Sequence, residues 1–302
     1  MRKVRFFLIW APLLLVLGAC GDPTTEAIGV LTRTVDTQIN QLNGKLQAGE
    51  IRNAVMLRSY VGQVKAKRPE FGELLDNLAR DAKADGPAIQ RLRERWEVAT
   101  TKPEQIGDKF AVKEELTALK TATTPEIFNE TLIDIINVVA DLSDGALPRL
   151  NQQARDARDA ENGPGSHLVG NPQYGRWQSS GGQSFWMWYG MYRMFGDIWG
   201  RPYYYHRWHY NRPWSYYNDY GRGLYSSRAD RANRSRVAQV NDRAVKQYGA
   251  QTRRNPSVYS SRVNRNHTPS RATSQARANA RRGSSYAASH RSSSRSRGRG
   301  GK

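Results

Sequence analysis

Side chains that could carry out catalysis do not form a catalytic pattern in this sequence. It contains no G-x-S-x-G, no G-x-x-x-x-G-K-[ST] and no H-E-x-x-H motif, and Cys20 is its only cysteine. Asp141 and the run Ser143-Asp144-Gly145 are typical of a helix end, and their spacing does not set an acid opposite a base. We therefore expect no enzyme activity and no cofactor.

Two histidines have a spacing that is compatible with a metal ion. His206 and His209 lie three positions apart in HRWH, with Asp219 as the nearest further ligand. A metal site needs a third and a fourth ligand, and the charges of Arg207 and Arg212 oppose a bound cation. We expect no metal here and interpret both histidines as polar members of an aromatic patch.

Cys20 follows a segment that has the features of a secretion signal. The first seven residues carry three cations, and residues 6–17 form an apolar stretch that is shorter than the ~20 residues of a membrane span. Small residues then lead directly to the cysteine. No disulfide can form within a chain that has one cysteine, so the thiol stays available for processing.

The sequence Leu17-Gly18-Ala19-Cys20 resembles the lipobox of bacterial lipoproteins. The resemblance implies that Cys20 is lipidated on its sulfur, for example with palmitate, and becomes the new N-terminus after cleavage. It also implies an exported, membrane-anchored lipoprotein, and Gly21 implies the outer membrane if the host is Gram-negative. A plain secretory signal and an uncleaved anchor are the alternatives.

The charge of the chain is divided unevenly between its two halves. Residues 20–165 carry 19 Lys and Arg against 23 Asp and Glu, whereas residues 166–302 carry 25 against 4. Such asymmetry indicates regions with different roles. The predicted regions are a signal peptide (1–19), the lipidated cysteine with a tether (20–23), a helical domain (24–161), a Gly/Ser/Pro linker (162–183), an aromatic-rich contact segment (184–225) and a disordered Arg/Ser-rich tail (226–302).

The apolar residues of the helical domain predict a mainly α fold, a small helical bundle. In the first helix they recur at spacings of three and four, which places them on one face, with Thr24 or Thr25 as the N-cap and Gly49 near the end. Short connections favour antiparallel neighbours, and no stretch alternates with the period of a strand. Further helices are predicted over 50–67, around Leu74, after Gly86-Pro87 and from Thr124 to about Gly145.

The stretch from Ser184 to Trp199 is dense in aromatic residues and is predicted to form a helix with one aromatic face. Sixteen helical residues span only ~24 Å, less than a bilayer core, while Trp and Tyr prefer a membrane interface. We therefore expect a membrane or partner contact, with packing on the bundle as the alternative. The predicted contact residues are Phe185, Trp186, Trp188, Tyr192, Phe195 and Trp199.

Two short stretches share the pattern Arg-Pro-aromatic-x-Tyr, beginning at Arg201 and Arg212. Arginine interleaved with aromatic residues suits stacking and cation–π contact with sugars, bases or other aromatic segments. The same composition is typical of sequence that associates with itself. Both interpretations stay open at this point.

The Arg-rich tail suits the binding of polyanions, because arginine neutralises anionic groups and releases their counterions. Outside the cytoplasm these polyanions are anionic lipid, lipopolysaccharide, wall polymers and extracellular DNA; a solvated spacer is the alternative. The predicted polyanion-binding residues are Arg281, Arg282, Arg291, Arg295, Arg297 and Arg299.

The stretch SSGGQSFWMWYGMYRMFG (179–196) and the tail composition resemble those of YgiB-like bacterial lipoproteins. That resemblance implies no particular activity. The sequence as a whole predicts a lipid-anchored cell-envelope protein of structural or interaction type, whose candidate partners are the membrane, an envelope protein and anionic envelope material. The alternative is a polyanion- or polysaccharide-binding module that uses Arg and aromatic stacking.

Overall fold

The computed structural model describes residues 22–150, 163–200 and 202–254. The lipidation residue Cys20 and the six predicted polyanion-binding arginines of the tail lie outside the described residues. The chain divides into two compact units, one that ends at Ala244 and one that begins at Val245.

The first part of the chain forms helices, which confirms the mainly α prediction. The helices are α1 (Pro23–Ala48), α2 (Arg52–Lys67), α3 (Gly72–Ala79), α4 (Pro87–Thr101), α5 (Lys109–Ala122) and α6 (Pro125–Leu142). Asp22, not Thr24 or Thr25, caps α1, because its carboxylate accepts a hydrogen bond from the Thr24 backbone N–H at 3.0 Å. The helix ends at Gly49, whose φ of 72° is left-handed.

The most extensive helix contacts join elements that are far apart in the sequence, α1 with α5 and α2 with α6. At one end of the first pair Lys109 donates to Asp22 (3.1 Å), and further along Thr123 donates to Gln38 (3.0 Å). Both contacts advance in the same direction along the two helices, so α1 and α5 run parallel.

The pair α2 and α6 has the same parallel orientation. Asn53 near the start of α2 bonds to Asn129 near the start of α6 at 2.8 Å, and Arg68 after α2 pairs with Asp144 after α6. The prediction of antiparallel neighbours is therefore wrong for both main pairs, because they do not form between helices joined by a short connection.

Helix α6 lies at the centre of the bundle. Every residue from Leu132 to Ala140 is buried, and a helix that is apolar on nearly all sides belongs inside a core. The predicted face of α1 packs against the same core, with Val35, Ile39 and Leu42 fully buried.

The aromatic-rich part of the chain begins with a two-stranded hairpin, β1 (Gly175–Ser180) and β2 (Gln183–Trp188). The strands are antiparallel, with Trp177 opposite Trp186. Gly181 and Gly182 have φ values of 59° and 77°, and two consecutive left-handed residues form the tight turn that joins twisted strands. The helix predicted from Ser184 to Trp199 is therefore wrong over residues 183–188.

Short helices and one long helix complete the described chain. They are α7 (Met194–Trp199), α8 (Tyr205–Asn211), a π-helical turn (Tyr217–Gly221), α9 (Arg222–Tyr225) and α10 (Arg228–Arg254). None of the helices in the described ranges is both long and apolar enough to cross a bilayer.

The predicted linker over 162–183 is also corrected by the structure. Leu168 and Val169 are fully buried in the core that the bundle and the aromatic residues share. Gly165 fits there because a Cβ atom would lie 2.7 Å from Phe195 Cγ. Gly165 thus permits close packing, and the segment predicted as a linker is part of the first unit rather than a spacer.

Helix α10 replaces the first part of the predicted disordered tail. The Ser227 hydroxyl accepts from the Asp230 N–H (3.2 Å), while the Asp230 carboxylate accepts from the Ser227 N–H (2.9 Å), which is a reciprocal N-terminal cap. Val237 and Asn241 are buried. The prediction of disorder is therefore wrong for residues 228–246, and residues 255–302 lie outside the described part of the chain.

Candidate functional site

The aromatic residues predicted to make an external contact lie mostly in the core. Trp186, Trp188 and Phe195 are 4%, 6% and 0% exposed. The ring of Trp188 lies 5.2 Å from that of Phe195, and the ring of Trp177 lies 5.2 Å from both Trp186 and Trp208. Large aromatic side chains gain most free energy when they are buried together, and the bundle supplies the partner surface.

The other predicted contact residues do not restore one exposed face. Tyr192 is partly buried and its ring meets Tyr174 edge-on at 5.0 Å, and Phe185 is half-buried beside Tyr204. The side chain of Trp199 is outside the described set. The contact face predicted from these six residues is therefore wrong, because residues 183–188 alternate as a strand instead of turning as a helix.

The same region instead forms a cleft of about 260 Å³ between the hairpin, the π-helical turn with α9, and the start of α10. We call it the arginine–aromatic cleft. Four arginines and one carboxylate contribute to its lining, together with aromatic rings. The charged residues are Arg176, Arg222, Arg231, Arg234 and Asp230, and the rings are Trp177, Trp186, Tyr189 and Tyr217.

Two of these arginines are only partly exposed and lie near each other. Burial, together with the charge of Arg234, lowers the pKa of Arg222 to about 10. Burial also lowers the pKa of Arg234, and the nearby Tyr205 opposes this change. Neither forms an ion pair with a carboxylate in the described ranges. Arginine side chains stay protonated at neutral pH, so these two give the cleft a positive potential.

Two residues of the cleft also carry a buried donor that is not used. The buried Nε1–H of Trp186 and the Nε–H of Arg222 have no hydrogen-bond partner among the described residues. A buried donor without an acceptor costs roughly 1–3 kcal/mol. An anion in the cleft would relieve the repulsion between the arginines.

The single carboxylate of the cleft is already engaged by its own neighbours. Asp230 Oδ2 accepts from Ser227 N–H (2.9 Å), from the Ser227 hydroxyl (2.8 Å) and from Arg91 (3.1 Å). Because its charge is balanced by Arg91, it does not neutralise the arginines across the cleft.

Buried carboxylates of the bundle hold the walls of the cleft in place. Asp134 on α6 accepts from the Ser215 hydroxyl (2.8 Å) and from the backbone N–H groups of Tyr216 (2.7 Å) and Tyr217 (3.1 Å). Burial raises the pKa of Asp134 to about 6, and these hydrogen bonds oppose the rise. This clamp fixes the turn that leads into Arg222.

A second carboxylate holds the residues that precede β1. Asp81 accepts from the Tyr174 hydroxyl at 2.9 Å and from the side-chain amide of Gln173. Burial raises the pKa of Asp81 to about 7.

A third buried carboxylate, Asp141, pairs with Arg149 and faces His167. The Nδ1–H of His167 in turn donates to the backbone oxygen of Trp214 at 3.0 Å.

A buried ion pair supports α9 from the bundle side. Arg95 on α4 donates to Glu115 on α5 at 2.8 Å, and both side chains are more than nine-tenths buried. Arg95 also donates to the backbone oxygen of Leu224 at 2.6 Å. Buried polar and charged side chains on α4, α5 and α6 thus hold the elements around the cleft in place.

Two side chains that the sequence emphasised, His209 and Arg212, have structural roles. His209 stacks on Tyr205 at 5.3 Å, and burial and nearby arginines lower its pKa. Arg212 forms a two-bond pair with Asp219 (2.9 and 2.6 Å) and lies over Trp208 at 5.8 Å. In the described ranges no three His, Cys, Asp or Glu side chains come together as a metal site.

Sequence reasoning missed the arginines that form the cleft. Arg176, Arg222 and Arg234 are separated by long stretches and share no motif, so only the fold brings them together. A local signal existed for two of the elements. The Gly181-Gly182 pair indicates a hairpin turn, and the S-x-x-D pattern from Ser227 to Asp230 indicates a helix start.

The chain was compared with protein-family models, with curated proteins and with solved structures. None of the three comparisons found a significant match. The function must therefore be argued from the geometry of this chain.

Proposed function

We propose that the protein is a lipid-anchored binding protein of the cell envelope, without catalytic activity, whose arginine–aromatic cleft holds anionic groups of envelope material. Cys20 would supply the anchor, as the lipobox resemblance implies, in the outer membrane of a Gram-negative host. The arginines of the tail would add affinity for the same polyanions without adding selectivity for the shape of the ligand.

One observation carries this proposal, the presence in one cleft of two half-buried arginines, neither of which forms an ion pair among the described residues. Exposed arginines on a surface need no ligand, because water solvates them. Arg222 and Arg234 are partly withdrawn from water, and burial lowers the pKa of both. Keeping unpaired cations in such a place is costly unless an anion is bound for part of the time.

The burial of the aromatic residues favours this binding role over the membrane contact first predicted for them. Trp186 and Trp188 cannot insert into a membrane without leaving the core. The ring of Trp186 instead lines the cleft and packs edge-on against that of Trp188, which supports the hairpin that carries Arg176.

Binding to anionic vesicles tests the proposal. Full-length protein with Cys20→Ser would be mixed with vesicles of neutral lipid, with or without lipopolysaccharide, and sedimented. The double change Arg222→Gln with Arg234→Gln should weaken binding at least tenfold, because each charge-assisted hydrogen bond contributes about 1.5–3 kcal/mol.

The matched control changes two exposed arginines of α10 that do not line the cleft, Arg236→Gln and Arg243→Gln. This control should reduce binding only slightly. An equal loss in both double variants would mean that net charge alone drives binding, and the cleft would then have no role. Separately, Cys20→Ser should move the protein of intact cells from the membrane to the soluble fraction, and an unchanged distribution would reject the lipid anchor.

A further inference from the structure

We propose that the arginine–aromatic cleft recognises a phosphate-bearing sugar, with the phosphate on the arginines and the sugar ring against the aromatic wall. This inference rests on the proposed function and specifies its ligand. The ligand chemistry could come from a free sugar phosphate or from the phosphorylated sugar of a glycolipid.

The size of the cleft limits the ligand. Sites for drug-sized molecules usually enclose about 300–1,000 Å³. At about 260 Å³ the arginine–aromatic cleft lies just below that range. It therefore suits one sugar ring with its phosphate, and an extended polymer could enter only by an end group.

The charges of the lining favour a phosphomonoester over a carboxylate. Four arginines stand against one carboxylate, and that carboxylate, Asp230, is held by Arg91 from outside the cleft. A phosphomonoester carries a charge of about −1.5 to −2 and three acceptor oxygens at neutral pH. It can accept from Arg222 and Arg234 together, whereas a carboxylate offers one charge and two oxygens.

The aromatic lining supplies a surface for the non-polar face of a sugar ring. Trp177 and Trp186 form a buried wall, and Tyr189 is 42% exposed where it contributes to the lining. A free phosphate would leave this apolar surface uncovered.

One residue of the lining, Asp230, has an oxygen that a sugar hydroxyl could use as an acceptor. The three hydrogen bonds that Asp230 receives all end on Oδ2. Its other oxygen, Oδ1, takes no part in these bonds, and a hydroxyl group can donate to it. Phosphate alone has no donor for this role when it is fully ionised, so the arrangement favours a ligand that has both groups.

Calorimetric titration of the full-length protein in a non-ionic detergent tests the inference. The probes are glucose 1-phosphate, inorganic phosphate, glucose and glucuronate. Glucose 1-phosphate should bind at least tenfold more tightly than each of the others. Arg234→Gln should weaken it by roughly tenfold to a hundredfold, Arg234→Lys by less, and Arg236→Gln on the exposed side of the same helix by little.

Replacing the exposed ring separates sugar recognition from phosphate recognition. Tyr189→Ala should weaken glucose 1-phosphate roughly fivefold to tenfold and leave inorganic phosphate unchanged. Equal affinity for inorganic phosphate and glucose 1-phosphate would overturn the sugar part of the inference. Equal affinity for glucuronate would overturn the phosphate part.

The two possible sources are distinguished with vesicles. Displacement of the Cys20→Ser protein from lipopolysaccharide vesicles by glucose 1-phosphate supports one shared site for free and lipid-borne sugar phosphates. Vesicle binding that depends on Arg222 and Arg234 but is unaffected by any of the four probes would overturn this inference and leave the proposed function standing. Vesicle binding that stays unchanged when both arginines are replaced would reject the proposed function itself.

Discussion

The buried ion pair between Arg95 and Glu115 permits a quantitative test of how the bundle supports α9. Replacing Arg95 with Met keeps much of the side-chain volume and removes the charge. Glu115 would then remain buried, with Arg231 at 3.9 Å as its nearest described cation. Breaking a buried pair on one side costs about 3–5 kcal/mol, because the remaining charge has lost its compensation.

A second contribution comes from the backbone of α9. Arg95 donates to the Leu224 oxygen at 2.6 Å, and loss of this bond leaves a partly buried acceptor, which costs about 1 kcal/mol. The total expected loss for Arg95→Met is therefore about 4–6 kcal/mol. Urea unfolding at pH 7, followed by circular dichroism, measures it as a change in midpoint at constant slope.

A double variant decides whether the charge or the packing is responsible. Arg95→Met combined with Glu115→Leu removes both charges, and replacing a whole buried pair by apolar groups is often close to neutral. Most of the loss should therefore be recovered, except about 1 kcal/mol for the Leu224 oxygen. A single variant that loses less than about 1 kcal/mol, or a double variant as unstable as the single one, would refute the reasoning.

Two further predictions concern the buried acids and the aromatic core. Asp81 has its pKa raised to about 7 against 3.8 in the unfolded chain, so its protonation stabilises the fold as the pH falls from 8 to 5. The unfolding free energy of the wild-type protein should rise by about 3 kcal/mol from pH 8 to pH 5, and Asp81→Asn should lack this rise. An Asp81→Asn variant with the pH profile of the wild type would contradict this. Trp188→Ala should cost about 3–5 kcal/mol in urea unfolding, whereas Tyr210→Ala, with Tyr210 73% exposed, should stay within about 0.5 kcal/mol; similar losses would contradict the assigned burial.

The bundle could be predicted from the sequence because its signals are local. Spacings of three and four place Val35, Ile39 and Leu42 on the buried face of α1, and the structure buries all three. Gly49 and Pro125 mark helix boundaries through backbone preferences that do not depend on tertiary contacts. The pairing of the helices was not predictable in this way, since it joins elements about 80 residues apart.

The hairpin was missed because both faces of β2 are apolar. Trp186 and Trp188 are buried, but Phe185 before them and Met187 between them are also apolar, so burial alternates while polarity does not. With 19 aromatic residues among positions 174–225, a helical spacing also arises by chance. The cleft lay beyond sequence reasoning for a different reason, because its arginines meet only after Asp134 and Asp81 have fixed the surrounding loops.

The cap of α1 has a consequence for how far the protein can move. Asp22 is the N-cap of the helix, so under the lipidation proposal only Gly21 separates it from the acylated Cys20. An extended chain covers at most about 3.6 Å per residue, so the tether from Cys20 to Asp22 is at most about 7 Å long. With so short a tether the bundle can pivot at the membrane surface but cannot extend away from it. Its ligand would have to be found within one protein diameter of the lipid headgroups.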